Sequence, residues 1–201
     1  MAHDNVETEV KISVDDLQKV AEKLRAHNAT LTGERVFERN VRYEDATESL
    51  TPADRVLRLR QDTRARLTYK APGSGNQNGV LSRTELEVTV SDFQTTDLLL
   101  KALGYHPSWE YEKYRTTYEL NDCEVVLDEM PFGNFVEVEG EQEAIENVLT
   151  MLDLANAPRI GASYSDLFFR IKERMKLNFR DLTFENFKSV TVPREMFQVD
   201  Q

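Results

Sequence analysis

Charged side chains recur at every second position through much of this chain, and neighbours within each run mostly share a sign. Successive side chains along a β-strand point to opposite faces, so position parity assigns each one to a face. Glu7, Glu9 and Lys11 share a face opposite Val6, Val10 and Ile12, while Arg58 and Arg60 lie opposite Leu57 and Leu59. Arg64, Arg66 and Lys70 stand against Leu67 and Tyr69, and Glu85 and Glu87 against Leu86 and Val88. Lys113 and Arg115 alternate with Tyr114, Asp128 and Glu124 with Val125 and Leu127, and Glu137 and Glu139 with Val136 and Val138. A single strand of this kind reads as a solvated outer face. Solvent faces, however, usually mix Ser, Thr, Gln and Lys, whereas here acidic strands alternate with basic ones. If the sheet closes, one parity of every strand turns inward. The charged parity then lines the interior and helices cover the apolar parity. Like charges held there need partners of opposite sign: each other, or a polyanion for the cations and divalent metal for the carboxylates.

Apolar spacing predicts strands at 6–12, 31–43, 55–61, 64–70, 80–90, 109–120, 123–129 and 134–140. Helices are expected at 15–27, 92–103, 141–154 and 164–175, the first with Ser13 or Asp15 as N-cap. Pro72 to Gly79, with Gly73 and Gly75, reads as a flexible turn and not a phosphate loop, because no Gly-Lys-Ser/Thr follows. The class is α+β with about eight antiparallel strands. Residues 1–175 are expected to form one domain, with 176–201 a C-terminal tail packed on it through Phe179, Phe184, Phe187 and Phe197.

Composition narrows the partners. Lys and Arg number 25 against 36 Asp and Glu, a formal charge of −11. That field repels phosphate backbones and anionic lipid, so neither nucleic acid nor membrane is an expected partner. Cys123 is the only cysteine, which excludes an intrachain disulfide and a cysteine metal cluster. Its parity with Val125 and Leu127 makes it a small core residue. His3, His27 and His106 lack metal-ligand spacing. Residues 1–9 are acidic, without an apolar signal core, and no apolar run approaches the ~20 residues needed to span a bilayer. A cytoplasmic location is expected.

Glu7-Thr-Glu9-Val-Lys11 resembles the Glu-x-Glu-x-Lys signature of the CYTH superfamily, the triphosphate tunnel metalloenzymes. The remaining motifs follow in that family's order: Leu57-Arg58-Leu59-Arg60, Leu67-Thr68-Tyr69-Lys70, Glu85-Leu86-Glu87, and Glu112-Lys113-Tyr114-Arg115. Leu127-Asp128, the run from Gly133 to Gly140, and Ser163-Tyr164-Ser165-Asp166-Leu167 complete the series. Jointly they look like the class IV adenylyl cyclase and thiamine-triphosphatase branch. The tail after Lys176 has no counterpart in the pattern.

This resemblance implies a closed eight-stranded antiparallel β-barrel, a tunnel for a triphosphate, with helices packed outside. It implies that Lys11, Arg58, Arg60, Lys70, Lys113 and Arg115 hold phosphate oxygens, with Lys11, Arg58 and Arg60 catalytic. Arg suits this task through its planar fork and Lys as a point charge. Glu7, Glu9, Glu137 and Glu139, with Asp128, Glu85 and Glu87 as further ligands or orienters, would bind Mg²⁺ or Mn²⁺, hard cations that prefer oxygen donors. Arg39, Arg64, Arg66 and Arg83 share the charged parity without an assigned role. Arg25 and Arg194 fall outside it and are expected to be screened by solvent. The leading expectation is a metal-dependent phosphohydrolase of inorganic tripolyphosphate or an organic triphosphate. The alternative is a class IV adenylyl cyclase, in which the ATP 3′-hydroxyl attacks the α-phosphorus. A non-catalytic polyphosphate-binding module is the third reading, disfavoured because anion capture needs the bases and not the acids. The resemblance also allows a homodimer.

Overall fold

The computed structural model describes residues 8–77 and 80–197. Its strands are β1 (Glu9–Val14), β2 (Thr30–Glu44), β3 (Val56–Gln61), β4 (Ala65–Gln77), β5 (Val80–Val90), β6 (His106–Leu120), β7 (Cys123–Met130) and β8 (Gly133–Glu139). The helices are α1 (Leu17–Ala26), α2 (Phe93–Ala102), α3 (Gln142–Met151), α4 (Tyr164–Arg174) and α5 (Phe184–Phe187), followed by a 3-10 turn at Arg194–Phe197. The strands form one eight-stranded antiparallel sheet in the order β1-β8-β7-β6-β2-β3-β4-β5. Among the described residues β1 pairs with β8 and β5 with β4, and neither pairs with the other. The sheet is therefore open, and the expectation of a closed barrel is overturned. Closure needs ladder hydrogen bonds between the first and last strands. Alternating parity assigns faces but carries no information on whether those strands meet.

The chain divides into two compact units, one built from residues 38–112 and the other from 8–37 with 113–197 among those described. In the second, Ile12, Val125, Leu127, Val136 and Val138 pack against Val20, Ala21 and Leu24 of α1 and Ile145, Val148 and Leu149 of α3. Fully burying such a side chain contributes about 1.5–3 kcal/mol, so this apolar parity is what holds the helices down. Asp16, not Ser13 or Asp15, caps α1, its carboxylate accepting from the backbone of Gln18 at 2.9 Å. Cys123 is buried in the same core. Aromatic contacts join α4 and β8 to the residues after α4, with Phe168 against Phe179 and Phe187, and Phe135 of β8 against Phe197. Leu182 is fully buried. Arg194 donates to the backbone and hydroxyl oxygens of Ser13 and to Asp15, so it is engaged with the end of β1 and not simply screened.

In the first unit, Val41, Tyr43, Leu57 and Leu59 pack with Leu50 and with Leu100 of α2. Leu86 and Val88 on the edge strand β5 stay exposed, so helices do not cover the apolar parity throughout. Glu44 is buried and accepts from the backbone of Leu50 and Thr51, which ties the 45–54 loop to β2. The expected flexible turn after Pro72 is instead strand. β4 continues to Gln77 and shifts register against β5 between Pro72 and Asn76. Gly79 lies outside the described residues.

Candidate functional site

Each unit gathers a cluster of opposite charges on the face away from its apolar core. In the second unit the strand register sets it directly, with Lys11 opposite Glu137 and Arg115 opposite Asp128. Lys11 and Lys113 are only 5% and 4% exposed, and Asp128 is 0% exposed. Arg115 forks onto Asp128, its Nε 2.7 Å from Oδ1 and its Nη2 2.5 Å from Oδ2, and Nη2 also reaches Glu137 at 2.8 Å. Lys113 Nζ donates to Asp128 Oδ2 at 3.2 Å. Lys11 Nζ lies 3.2 Å from Glu137, 3.8 Å from Glu9, and donates to the carbonyl of Ala162. Burial by itself would push the Asp128 carboxyl up, but Lys113 and Arg115 hold it well below the usual carboxylate range.

Tyr164 joins this cluster, although the sequence pattern assigns it no role there. Its hydroxyl donates to Asp128 at 3.0 Å, and its ring lies 4.5 Å from Lys11 Nζ. Burial, then the nearby Asp128 charge, pushes the phenol well above its ordinary value, so it remains a donor. The signal that could have found it is local. Ser163 and Asp166 form a capping box, which starts α4 at Tyr164.

Glu9, Glu139, Glu124 and Glu119 stand opposite one another across β1, β8, β7 and β6. Like charges directly opposite destabilise a sheet, and an all-oxygen donor set suits a hard divalent cation. The residues present thus fit Mg²⁺ or Mn²⁺ in chemistry. Among the described residues no three acids already converge as a metal cage. Glu7 lies outside the described residues.

The first unit brings together Arg58, Arg60, Lys70, Glu85 and Glu87. Arg58 donates to Tyr111 at 3.3 Å and to Thr68 at 3.2 Å, and lies 3.9 Å from Glu87. Thr68 donates its own hydroxyl proton to Glu87 at 2.8 Å. Arg60 donates through Nε to Asn40 at 2.8 Å and lies 3.6 Å from Glu38. Lys70 pairs with Glu85 at 2.6 Å. Arg66 pairs with Asp62 and lies 3.9 Å from Glu87. Arg39 departs from its assigned parity: it shares the side of Val41 and Tyr43 and forks onto Glu110 at 2.8 and 2.5 Å. Asn40, Thr68 and Tyr111 carry no such role in the sequence pattern, although Asn40 shares parity with Glu38 and Thr68 with Arg66 and Lys70.

The family model for the CYTH domain matches residues 5–162. The chain belongs to the CYTH family. A relative from Methanocaldococcus jannaschii, named "Putative adenylate cyclase", is 25% identical over 174 residues, 81% of this chain and 98% of that protein. A Vibrio parahaemolyticus structure shares the fold with a TM-score of 0.68 at 17% identity, covering 81% of this chain and 97% of the other. A Hippeastrum structure, described as a "Putative adenylyl cyclase" that reveals a dominant triphosphatase activity, aligns with a TM-score of 0.58 at 19% identity, covering 81% of this chain and 95% of the other. The CYTH stretch contains every sequence-assigned site residue, while Tyr164 and the aromatic residues of the tail lie after it. No helix among the described residues is long and apolar enough to cross a membrane.

Proposed function

We propose that this CYTH protein is a divalent-metal-dependent enzyme that processes triphosphates, and that its reaction is hydrolysis of inorganic tripolyphosphate or an organic triphosphate. The burial of Lys11, Lys113 and Asp128 together carries this reading. Two ammonium groups withdrawn from water, Lys11 beside Glu137 and Lys113 beside Asp128, form a preorganised site for an anion that brings its own charge. Arg58, Arg60 and Arg115 present guanidinium forks to phosphate oxygens, and Lys11, Lys70 and Lys113 act as point charges. Lys11, Arg58 and Arg60 stabilise the charge that develops as the phosphoryl bond breaks. Within the second unit, Glu9, Glu139 and Glu137 would hold the metal, with Glu7 as a further donor and Asp128 orienting the cations. When bound, a divalent cation polarises phosphoryl oxygens and lowers the pKa of a water. The dominant triphosphatase activity described for the Hippeastrum protein supports hydrolysis. The name of the M. jannaschii relative favours a second reading, cyclisation of ATP to cyclic AMP and pyrophosphate.

Product analysis separates them. Tripolyphosphate and ATP are offered separately with Mg²⁺ or Mn²⁺, and orthophosphate, pyrophosphate and cyclic AMP are measured. Orthophosphate release without cyclic AMP is expected. Cyclic AMP as the main product from ATP would replace hydrolysis by the second reading, and no turnover of either compound would overturn both.

A further inference from the structure

We propose that Asn40 contacts the substrate directly, its side-chain amide donating a hydrogen bond to a phosphate oxygen beside Arg60; this rests on the triphosphate-processing function above. Asn40 is 0% exposed. Its Oδ1 accepts from Arg60 Nε at 2.8 Å, and its Nδ2 has no hydrogen-bond partner. A guanidinium offers only donors, so the atom facing Arg60 must be the oxygen and the amide cannot turn round to hide its N–H groups. Most buried polar side-chain atoms find a partner, and an orphan donor signals something absent.

The neighbours point to what that is. Asn40 lies opposite Arg60, and Arg60 opposite Arg66, in one row across β2, β3 and β4. Arg66 Nε and Arg58 Nε, on the same face, are also buried without a hydrogen bond. Three nitrogen donors without a hydrogen bond, on Asn40, Arg58 and Arg66 beside Arg60, suit a ligand that is all acceptor and anionic. A phosphate oxygen meets both conditions. Asn40 adds what the arginines lack, a neutral donor fixed in direction by Arg60 itself, so it reads the position of an oxygen without adding charge.

The test uses tripolyphosphate without divalent metal, so that binding is read without turnover. Calorimetry compares the wild-type protein with Asn40→Asp, which keeps an acceptor for Arg60 and loses the donor. In parallel, the Asn40 side-chain amide is followed by ¹⁵N NMR in the wild-type protein. The expected result is movement of the Asn40 amide signals with tripolyphosphate, and at least tenfold weaker binding by a folded Asn40→Asp variant. Wild-type affinity in the folded variant would overturn the assignment. Amide signals that stay still while the wild-type protein binds would overturn it too, whether or not the variant folds. Absence of binding by the wild-type protein would instead remove the function on which the assignment rests.

Discussion

Asp128 accepts hydrogen bonds from Lys113, from two nitrogens of Arg115 and from Tyr164. Neutralising it strands two cations, so Asp128→Asn should cost about 3–5 kcal/mol of stability, read by urea denaturation. Its acid response has a definite sign. The folded carboxyl stays ionised at pH values where the unfolded chain protonates near about 3.9. The unfolded state then binds more protons, and stability falls as pH drops below that value. Asp128→Asn should flatten this acid limb; an unchanged limb would assign it to other carboxylates. For activity, Arg58→Ala or Arg60→Ala should each cost ~2–4 kcal/mol in transition-state stabilisation. Arg25→Ala, exposed on α1, should be near neutral. Equal losses at Arg25 and Arg58, measured as kcat/KM, would point to a global field. Arg194 does not serve beside Arg25 as a screened control, since it is bonded to Ser13 and Asp15. Parity reads the face of Arg58, Lys113 and Asp128 from local sequence. It cannot read who pairs with whom, because partners come from register between distant strands.

At the scale of elements, strands and helices are legible where alternation or helical spacing is unbroken, as in β3, β7, β8 and α1. They are misread where glycine implies a turn, since pairing with β5 carries β4 on to Gln77. Closure is illegible for a related reason: it depends on curvature summed over all strands, to which each residue contributes little. Gly140, just beyond β8, shows how tightly such an element can be set. Its N–H donates to Thr8 at 3.1 Å, and an added Cβ would lie 2.9 Å from Cys123 Sγ and 3.3 Å from the Asp122 carbonyl. Gly140→Ala should therefore destabilise by about 1–3 kcal/mol through overpacking. It should also raise the metal concentration needed for activity, because Glu9 and Glu139 sit at this end of β1 and β8. A variant with wild-type melting temperature and metal response would show that the strands shift apart without strain.

For the molecule as a whole, a charge of −11 makes any divalent cation stabilising in a general way, so specific binding must be separated from screening. A ligand that binds only the folded state adds stability with concentration, about 2.7 kcal/mol at 100 times its Kd. Mg²⁺ should raise the melting temperature more than NaCl of equal ionic strength, and Glu9→Gln should remove the excess. Equal shifts from both salts would leave the carboxylate row with no metal to hold.

The CYTH match ends at residue 162, yet Tyr164 follows almost at once and gives Asp128 its hydroxyl donor. Phe187 and Phe197 come later still, against Phe132 and Phe135. Anyone transplanting this chemistry into another protein by cutting where the domain match ends would carry away the charges and leave behind what braces them. The portable piece is longer than the matched one, and it includes α4 and the aromatic segment beyond it.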